Sequence, residues 1–187
     1  MLKIGIIVGS TRPGRKSDQV AKWYYDIAKS RPDAEFEIID LADVNLPLYD
    51  EPLPAGYHDY KNEHTQKWAE KIAQYDGFVI VTAEYNHSVP AVLKNALDYL
   101  YLEWNNKAVA FVSYGSSNGV RAVNTLRLIA GELQMADVRQ QVMFNVFTDF
   151  DENNKFIPAD SKAESVNDQL NQLIPWSKAL KSVRENI

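Results

Sequence analysis

Cysteine is absent from the 187 residues, which removes disulfides, thiol nucleophiles and zinc–thiolate centres together. Histidine occurs three times, as His58, His64 and His87, in no HxxxH or HExxH spacing, so no metal site is expected. Long apolar runs are also missing. Stretches such as 78–81 and 108–112 fall far short of the roughly 20 residues that a membrane-crossing helix needs. The first apolar run starts at Leu2 and leaves no room for a signal peptide, so the expectation is a cytoplasmic protein with no membrane contact. Twenty basic against 25 acidic residues give a net charge of −5, which argues against nucleic acid as a partner. Two phosphate fingerprints are lacking as well. There is no GxxxxGK[ST] for a triphosphate and no GxGxxG for a dinucleotide.

What is present centres on residues 4–19, IGIIVGSTRPGRKSDQ. An apolar run ends at Gly9 and is followed by Ser10, Thr11 and a cationic cluster of Arg12, Arg15 and Lys16. Ser17 and Asp18 are good helix N-caps, and Val20, Trp23, Tyr24 and Ile27 continue at helical spacing. Strand, polar turn, helix is the reading. A helix N-terminus presents unpaired N–H groups and partial positive charge, and hydroxyls and guanidiniums beside it suit a single phosphate.

Along the chain, strands are expected at 2–8, 35–41, 78–82, 107–113 and 138–146. Helices are expected at 17–30, 62–75, 90–104, 119–135 and 161–183. A connection over 42–60 carries Pro47, Pro52 and Pro54 and is long enough for a binding loop or interface arm, or for a plain surface loop. The alternating order predicts one α/β domain over 1–187, a doubly wound five-stranded parallel sheet with helices on both faces. In such sheets ligands bind at the carboxyl ends of the strands, where loops 9–17, 83–89 and 114–119 meet. Gly115 and Gly119 permit close backbone approach, and Tyr85, Asn86 and Tyr114 offer aromatic and amide contact to a flat ring with a phosphate tail.

These residues resemble the NADPH-dependent FMN reductase family of flavodoxin-like proteins, which includes bacterial quinone and chromate reductases. A GSxR loop is matched by Gly9, Ser10 and Arg12. A PEYNxSxPxxLKNAxD motif is matched by Glu84, Tyr85, Asn86, Ser88, Pro90, Leu93, Lys94, Asn95, Ala96 and Asp98. A glycine-rich segment before an RA pair is matched by Gly115, Gly119, Arg121 and Ala122, and 46–54 resembles the family's second connection. Ala83 stands where the family usually has proline, and the paired glycines are thinned to Gly115 and Gly119.

The resemblance implies that Ser10, Arg12, Arg15, Lys16 and Ser17 hold the FMN phosphate. It implies that Ala83, Glu84, Tyr85 and Asn86, largely through backbone, and Tyr114 and Gly115 line the flavin ring. It further implies NADPH or NADH as co-substrate, a quinone or flavin as acceptor, no catalytic side chain, and a homodimer or homotetramer. The alternatives are a flavodoxin-type electron carrier, whose loop is typically Thr/Ser-rich rather than cationic, and a flavin-free binding module. His87 reads as a solvated loop residue, Asp98 and Glu103 as solvated or paired with Lys94, and Trp23 and Trp68 as core. Val92, Leu93, Ala96, Leu97, Leu100, Tyr101 and Trp104 spread apolar surface more widely than one helical stripe needs, which suggests a subunit contact.

Overall fold

In the computed structural model, which describes residues 1–186, five strands lie parallel in the order β2-β1-β3-β4-β5. They are β1 (Leu2–Val8), β2 (Ala34–Asp40), β3 (Gly77–Ala83), β4 (Ala108–Gly115) and β5 (Ala136–Asn145). The helices are α1 (Ser17–Ala28), α2 (Leu41–Val44), α3 (Glu63–Ala73), α4 (Ala91–Asp98), α5 (Val120–Glu132) and α6 (Ser161–Arg184). This is the flavodoxin-like strand order, and its direction reverses between β1 and β3. The expected doubly wound sheet is therefore present.

The central strands β3 and β4 are buried along their whole length, because helices cover both faces. On one face Ile4, Ile6, Val8, Val79, Val81 and Val112 meet Val20 and Tyr24 of α1 and Val166 and Leu170 of α6. On the other, Ile7, Phe78, Ile80, Val109 and Phe111 meet Trp68 and Ile72 of α3, Leu93 and Leu97 of α4, and Leu126 of α5. Each such large side chain contributes about 1.5–3 kcal/mol on full burial.

Most element ends lie within two or three residues of the expected ones; two regions depart further. The connection expected over 42–60 begins with a short helix, α2, which opens at Leu41 because the Asp40 side chain accepts the Ala42 N–H and caps it. The helix expected over 90–104 stops at Asp98. Beyond it the chain tightens into i→i+3 bonds, with Tyr99, Leu100 and Trp104 all fully buried. Trp104 then reaches Phe78 and Trp68 and donates its indole N–H to Leu97 O at 3.2 Å. The wide apolar surface read from this segment is thus largely consumed inside the subunit.

Two other readings need correction. Glu103 is buried and accepts from His58 (2.9 Å) and Tyr60 (2.9 Å), whereas Lys94 pairs with Asp98 as expected. Trp68 is core, but Trp23 is only partly buried, edge-on to Phe144 and Phe156.

Candidate functional site

β1 ends where Gly9 donates its N–H to Val81 O at 2.8 Å, and a Cβ there would lie 2.8 Å from that same oxygen. Glycine is required for the loop to leave the sheet so close to β3. The following Ser10 is buried, and its Oγ lies 3.0 Å from the Tyr85 hydroxyl in the loop after β3. Two of the expected loops are thereby joined across the point where strand order reverses.

The basic cluster divides into three. Arg15 is clamped on Asp40 by both guanidinium nitrogens and donates to Ser10 O at 2.9 Å, so it shapes the loop from outside. Lys16 lies over the Phe150 ring, 4.1 Å from its centroid, and donates to Asn154 Oδ1 at 2.6 Å. Its pKa is lowered, first by burial and then by the neighbouring Arg12 charge, with Asp151 opposing. Arg12 is exposed and, among the described residues, has no carboxylate partner.

Helix α1 starts differently from the sequence expectation. Its N-cap is Lys16, which gives no side-chain cap, and Ser17 is the first helical residue. The cause is the cationic loop, closed by Arg15 N–H to Arg12 O at 3.0 Å with Gly14 at φ +68°. Ser17 Oγ and the Tyr114 hydroxyl are both buried and lie beside one another, and neither makes a hydrogen bond of good geometry. Burial pushes the Tyr114 phenol up to about 12, while nearby Ser17 and the Arg12 charge pull it back. Orphaned buried hydroxyls are costly unless a ligand completes them. Together with the uncapped N–H groups of α1 and the free Arg12, they form a donor set suited to a phosphate dianion.

The loop after β3 is a tight hairpin turn. Tyr85 and Ser88 exchange N–H···O bonds of 2.9 and 3.0 Å, with Asn86 and His87 both at positive φ, the geometry of a type I′ turn. Ala83 is the last residue of β3, its side chain in the core, so only its backbone faces the crest. The Glu84 N–H is spent on Tyr114 O at 3.2 Å, and its buried carboxylate binds Arg121 at the start of α5. Arg121 also reaches His87 Nε2 at 2.8 Å, so His87 is bonded and not simply solvated.

The loop after β4 is held equally firmly. Ser113 Oγ donates to Asn118 O at 2.6 Å, and Asn145 of β5 donates to Ser116 O and Asn118 Oδ1. Gly119 has φ +71°, and a Cβ there would sit 2.7 Å from Ser113 Cβ. The result is a narrow ledge of backbone at 115–119 beside the 84–88 turn.

Ser10, Arg12, Ser17, Tyr85, Tyr114 and the 83–86 and 115–119 backbones therefore converge at the carboxyl end of the sheet, while Arg15 faces Asp40 and the Glu84 side chain faces Arg121. Asn145, Asn154 and Phe150 escaped the sequence reading, since nothing local marks them; their partners lie 27 to 138 residues away. A groove of about 620 Å³ at the other end of the sheet is lined by Met1, Leu2, Ile174 and Pro175. Of its charged lining, Asp33 and Lys181 are already paired with Arg31 and Asp76.

A doubly wound sheet with an anion cradle after β1 and two backbone-rich loops at its switch point is the architecture of flavodoxin-like proteins. Residues 2–149 match the family model described as NADPH-dependent FMN reductase, and the chain belongs to that family. An NAD(P)H-dependent FMN reductase of Schizosaccharomyces pombe is 45% identical over 135 residues, covering 71% of this chain and 68% of the relative. A 2-hydroxy-1,4-benzoquinone reductase of a Burkholderia species is 32% identical over 150 residues, covering 76% and 78%. The fold matches that of the flavoenzyme NAD(P)H:(acceptor) oxidoreductase FerB from Paracoccus denitrificans, with TM-score 0.74 at 18% identity over 96% and 98% of the two chains. Membership favours the reductase over the electron carrier and makes FMN the cofactor. No helix of the described residues is long and apolar enough to cross a membrane.

Proposed function

We propose that the chain is an FMN-dependent NAD(P)H oxidoreductase whose flavin phosphate sits in the cradle formed by Ser10, Arg12, Ser17, Tyr85 and Tyr114. The observation that carries this reading is the pair of adjacent buried hydroxyls on Ser17 and Tyr114, neither in a hydrogen bond of good geometry, beside the uncapped start of α1. A phosphate carries roughly −1.5 to −2 charges and three acceptor oxygens, which those donors complete. The backbones of 83–86 and 115–119 flank the ring, with Tyr85 and Tyr114 at its edges.

Bound FMN supplies the redox chemistry, taking hydride from NAD(P)H and passing electrons to a quinone or flavin acceptor. The protein's part is placement. Arg12 adds positive charge at the mouth, which draws both the flavin phosphate and an anionic nicotinamide co-substrate. The exposed turn at Asn86 and His87 leaves one side of the ledge open to substrates. No side chain is needed to move a proton at a carbon centre, so none is assigned as catalytic.

A single domain over 1–187 acts as a homodimer or homotetramer in the cytoplasm in this reading. The 42–60 loop supports the oligomer. It is tied down by Tyr99, Asn95 and His64, yet presents Leu48 (81% exposed) and Tyr57 (72% exposed) to solvent.

The test is an absorption spectrum during FMN titration, followed by stopped-flow mixing with NADPH. Saturable flavin binding that Arg12→Ala weakens, and rapid bleaching by NADPH, are expected. A protein that takes up no FMN, or whose bound flavin NADPH does not reduce, overturns the reading. Light scattering showing a monomer at micromolar concentration overturns the oligomer.

A further inference from the structure

The family match ends at residue 149, and the chain then makes a small hairpin that closes back on the start of α1. Phe150 and Phe156 form an antiparallel bridge, Asp151 N–H donates to Lys155 O at 2.9 Å, and Asn154 N–H donates to Asp151 O at 2.9 Å. The Asp151 carboxylate accepts from the N–H groups of Asn153 and Lys155, which stiffens the turn. Gln19 of α1 grips it from beneath, donating to Asn154 O at 3.0 Å and accepting the Phe156 N–H at 2.9 Å. Phe156 packs edge-on to Trp23 and Phe144, so the hairpin is anchored in the core.

The hairpin holds one cation at the surface. Lys16 Nζ is fixed by Asn154 Oδ1 and by the face of Phe150, whose ring is itself 6.4 Å from that of Tyr114. Asn154 is at φ +61°, a conformation asparagine tolerates, and this points its amide at Lys16. A long, flexible lysine is thus held beside Arg12, whose like charge acts on it, with the Asp151 carboxylate of the hairpin acting in the opposite sense. Holding such a group in position before the ligand arrives saves the cost of ordering it on binding.

We propose that the 150–156 hairpin is a positioning element, with Asn154 and Phe150 presenting the Lys16 ammonium to the phosphate of FMN. This rests on the cradle reading above. It assigns to a segment beyond the family match a share in choosing FMN over riboflavin, which has the same ring and no phosphate. Asn154 and Phe150 are positioning residues and act only through Lys16.

The experiment is equilibrium titration of the full-length protein with FMN and with riboflavin, read by flavin fluorescence. The variants are Asn154→Gly, Asn154→Asp, Lys16→Met and the Lys16→Met/Asn154→Gly pair. Glycine keeps the backbone conformation and removes the amide; aspartate retains the side-chain shape and cancels the lysine charge. Asn154→Gly is expected to weaken FMN about three- to tenfold and leave riboflavin unchanged. Asn154→Asp should weaken FMN at least as much, with a shallower salt dependence. In the Lys16→Met background, Asn154→Gly should add nothing. Equal weakening of FMN and riboflavin, or full additivity with Lys16→Met, overturns the proposal and leaves the hairpin a structural clasp. If Arg12→Ala and Lys16→Met both leave FMN affinity unchanged, the cradle reading itself has failed.

Discussion

The Glu84 carboxylate accepts two bonds from Arg121, one from its backbone N–H at 3.1 Å and one from its guanidinium Nε at 2.5 Å. A buried carboxylate thereby ties the loop after β3 to the first turn of α5, where a negative charge also suits the helix N-terminus. The two loops that flank the proposed ring site are held at one spacing by this link.

Glu84→Ala should therefore act on stability and on flavin binding together. It takes the carboxylate from the Arg121 N–H and guanidinium, leaving the latter only His87, at a cost of about 1–3 kcal/mol. Because Arg121 is partly exposed, water recovers some of that. Urea unfolding should show a lower midpoint, and FMN and riboflavin should weaken alike, since the ring loops and not the phosphate cradle have moved. Glu84→Gln should lose less of both. Unchanged riboflavin affinity in the alanine variant would contradict the linkage.

Ser17→Ala should separate stability from binding in the opposite sense. The hydroxyl is buried without a hydrogen bond of good geometry, so deleting it removes a desolvated group and should leave the flavin-free protein about as stable as before. FMN affinity should fall roughly 10- to 100-fold, the effect of losing one charge-assisted bond of about 1.5–3 kcal/mol. Thermal melts without flavin and fluorescence titration with FMN and riboflavin check the two halves. A destabilised flavin-free protein with unaltered FMN affinity would sink the assignment.

These expectations show which parts of the site could be read from residue order. The sheet was legible because β3 and β4 are unbroken apolar runs and each strand is followed by a helical period. The loops were legible because Gly9 and Gly119 mark places where neighbouring atoms pass too close for a Cβ, and Gly115 one where the fit is tight. The division of labour within the cationic cluster was not. Arg12, Arg15 and Lys16 look equivalent in sequence, and only the positions of Asp40 and Asn154, which lie 25 and 138 residues further on, tell them apart. Glu103 was misread for the same reason, since His58 and Tyr60 reach it from a loop some 45 residues upstream. The helix ending at Asp98 was missed because no glycine or proline marks an end before Asn105.

The same division predicts unlike outcomes for two arginines three residues apart. Arg12→Ala should reduce FMN affinity roughly 10- to 100-fold with little change in melting temperature, because that guanidinium makes no ion pair among the described residues. Arg15→Ala breaks the bidentate pair with Asp40 and the bond to Ser10 O, costing about 1 kcal/mol of stability after solvent screening. It should lower the melting temperature while moving the ratio of FMN to riboflavin affinity far less than Arg12→Ala does. Equal ratios for the two variants would show that both arginines meet the phosphate.

At the opposite end of the sheet, Lys107 makes a prediction in pH. It is 3% exposed, donates to Ile72 O at 2.9 Å and lies near the Phe78 ring. Burial first, and then the Arg184 charge, bring its pKa down to about 7, with Asp76 and Glu103 opposing. The unfolded chain keeps the ordinary lysine value near 10.5, so between about pH 7 and 10.5 it binds more protons than the folded one. Stability must then rise with pH across that window, by at most about 1.4 kcal/mol per unit. Below pH 7 both states are protonated, and the full penalty for burying the charge remains. Lys107→Met retains the buried stem and removes the titration. The variant should be more stable than the parent at pH 7, and its advantage should shrink steadily towards pH 9.5 as the parent gains. Urea unfolding at half-unit steps of pH measures this difference directly. An advantage that stays flat across the window would mean that Lys107 keeps its charge inside the fold, held by Asp76 and Glu103.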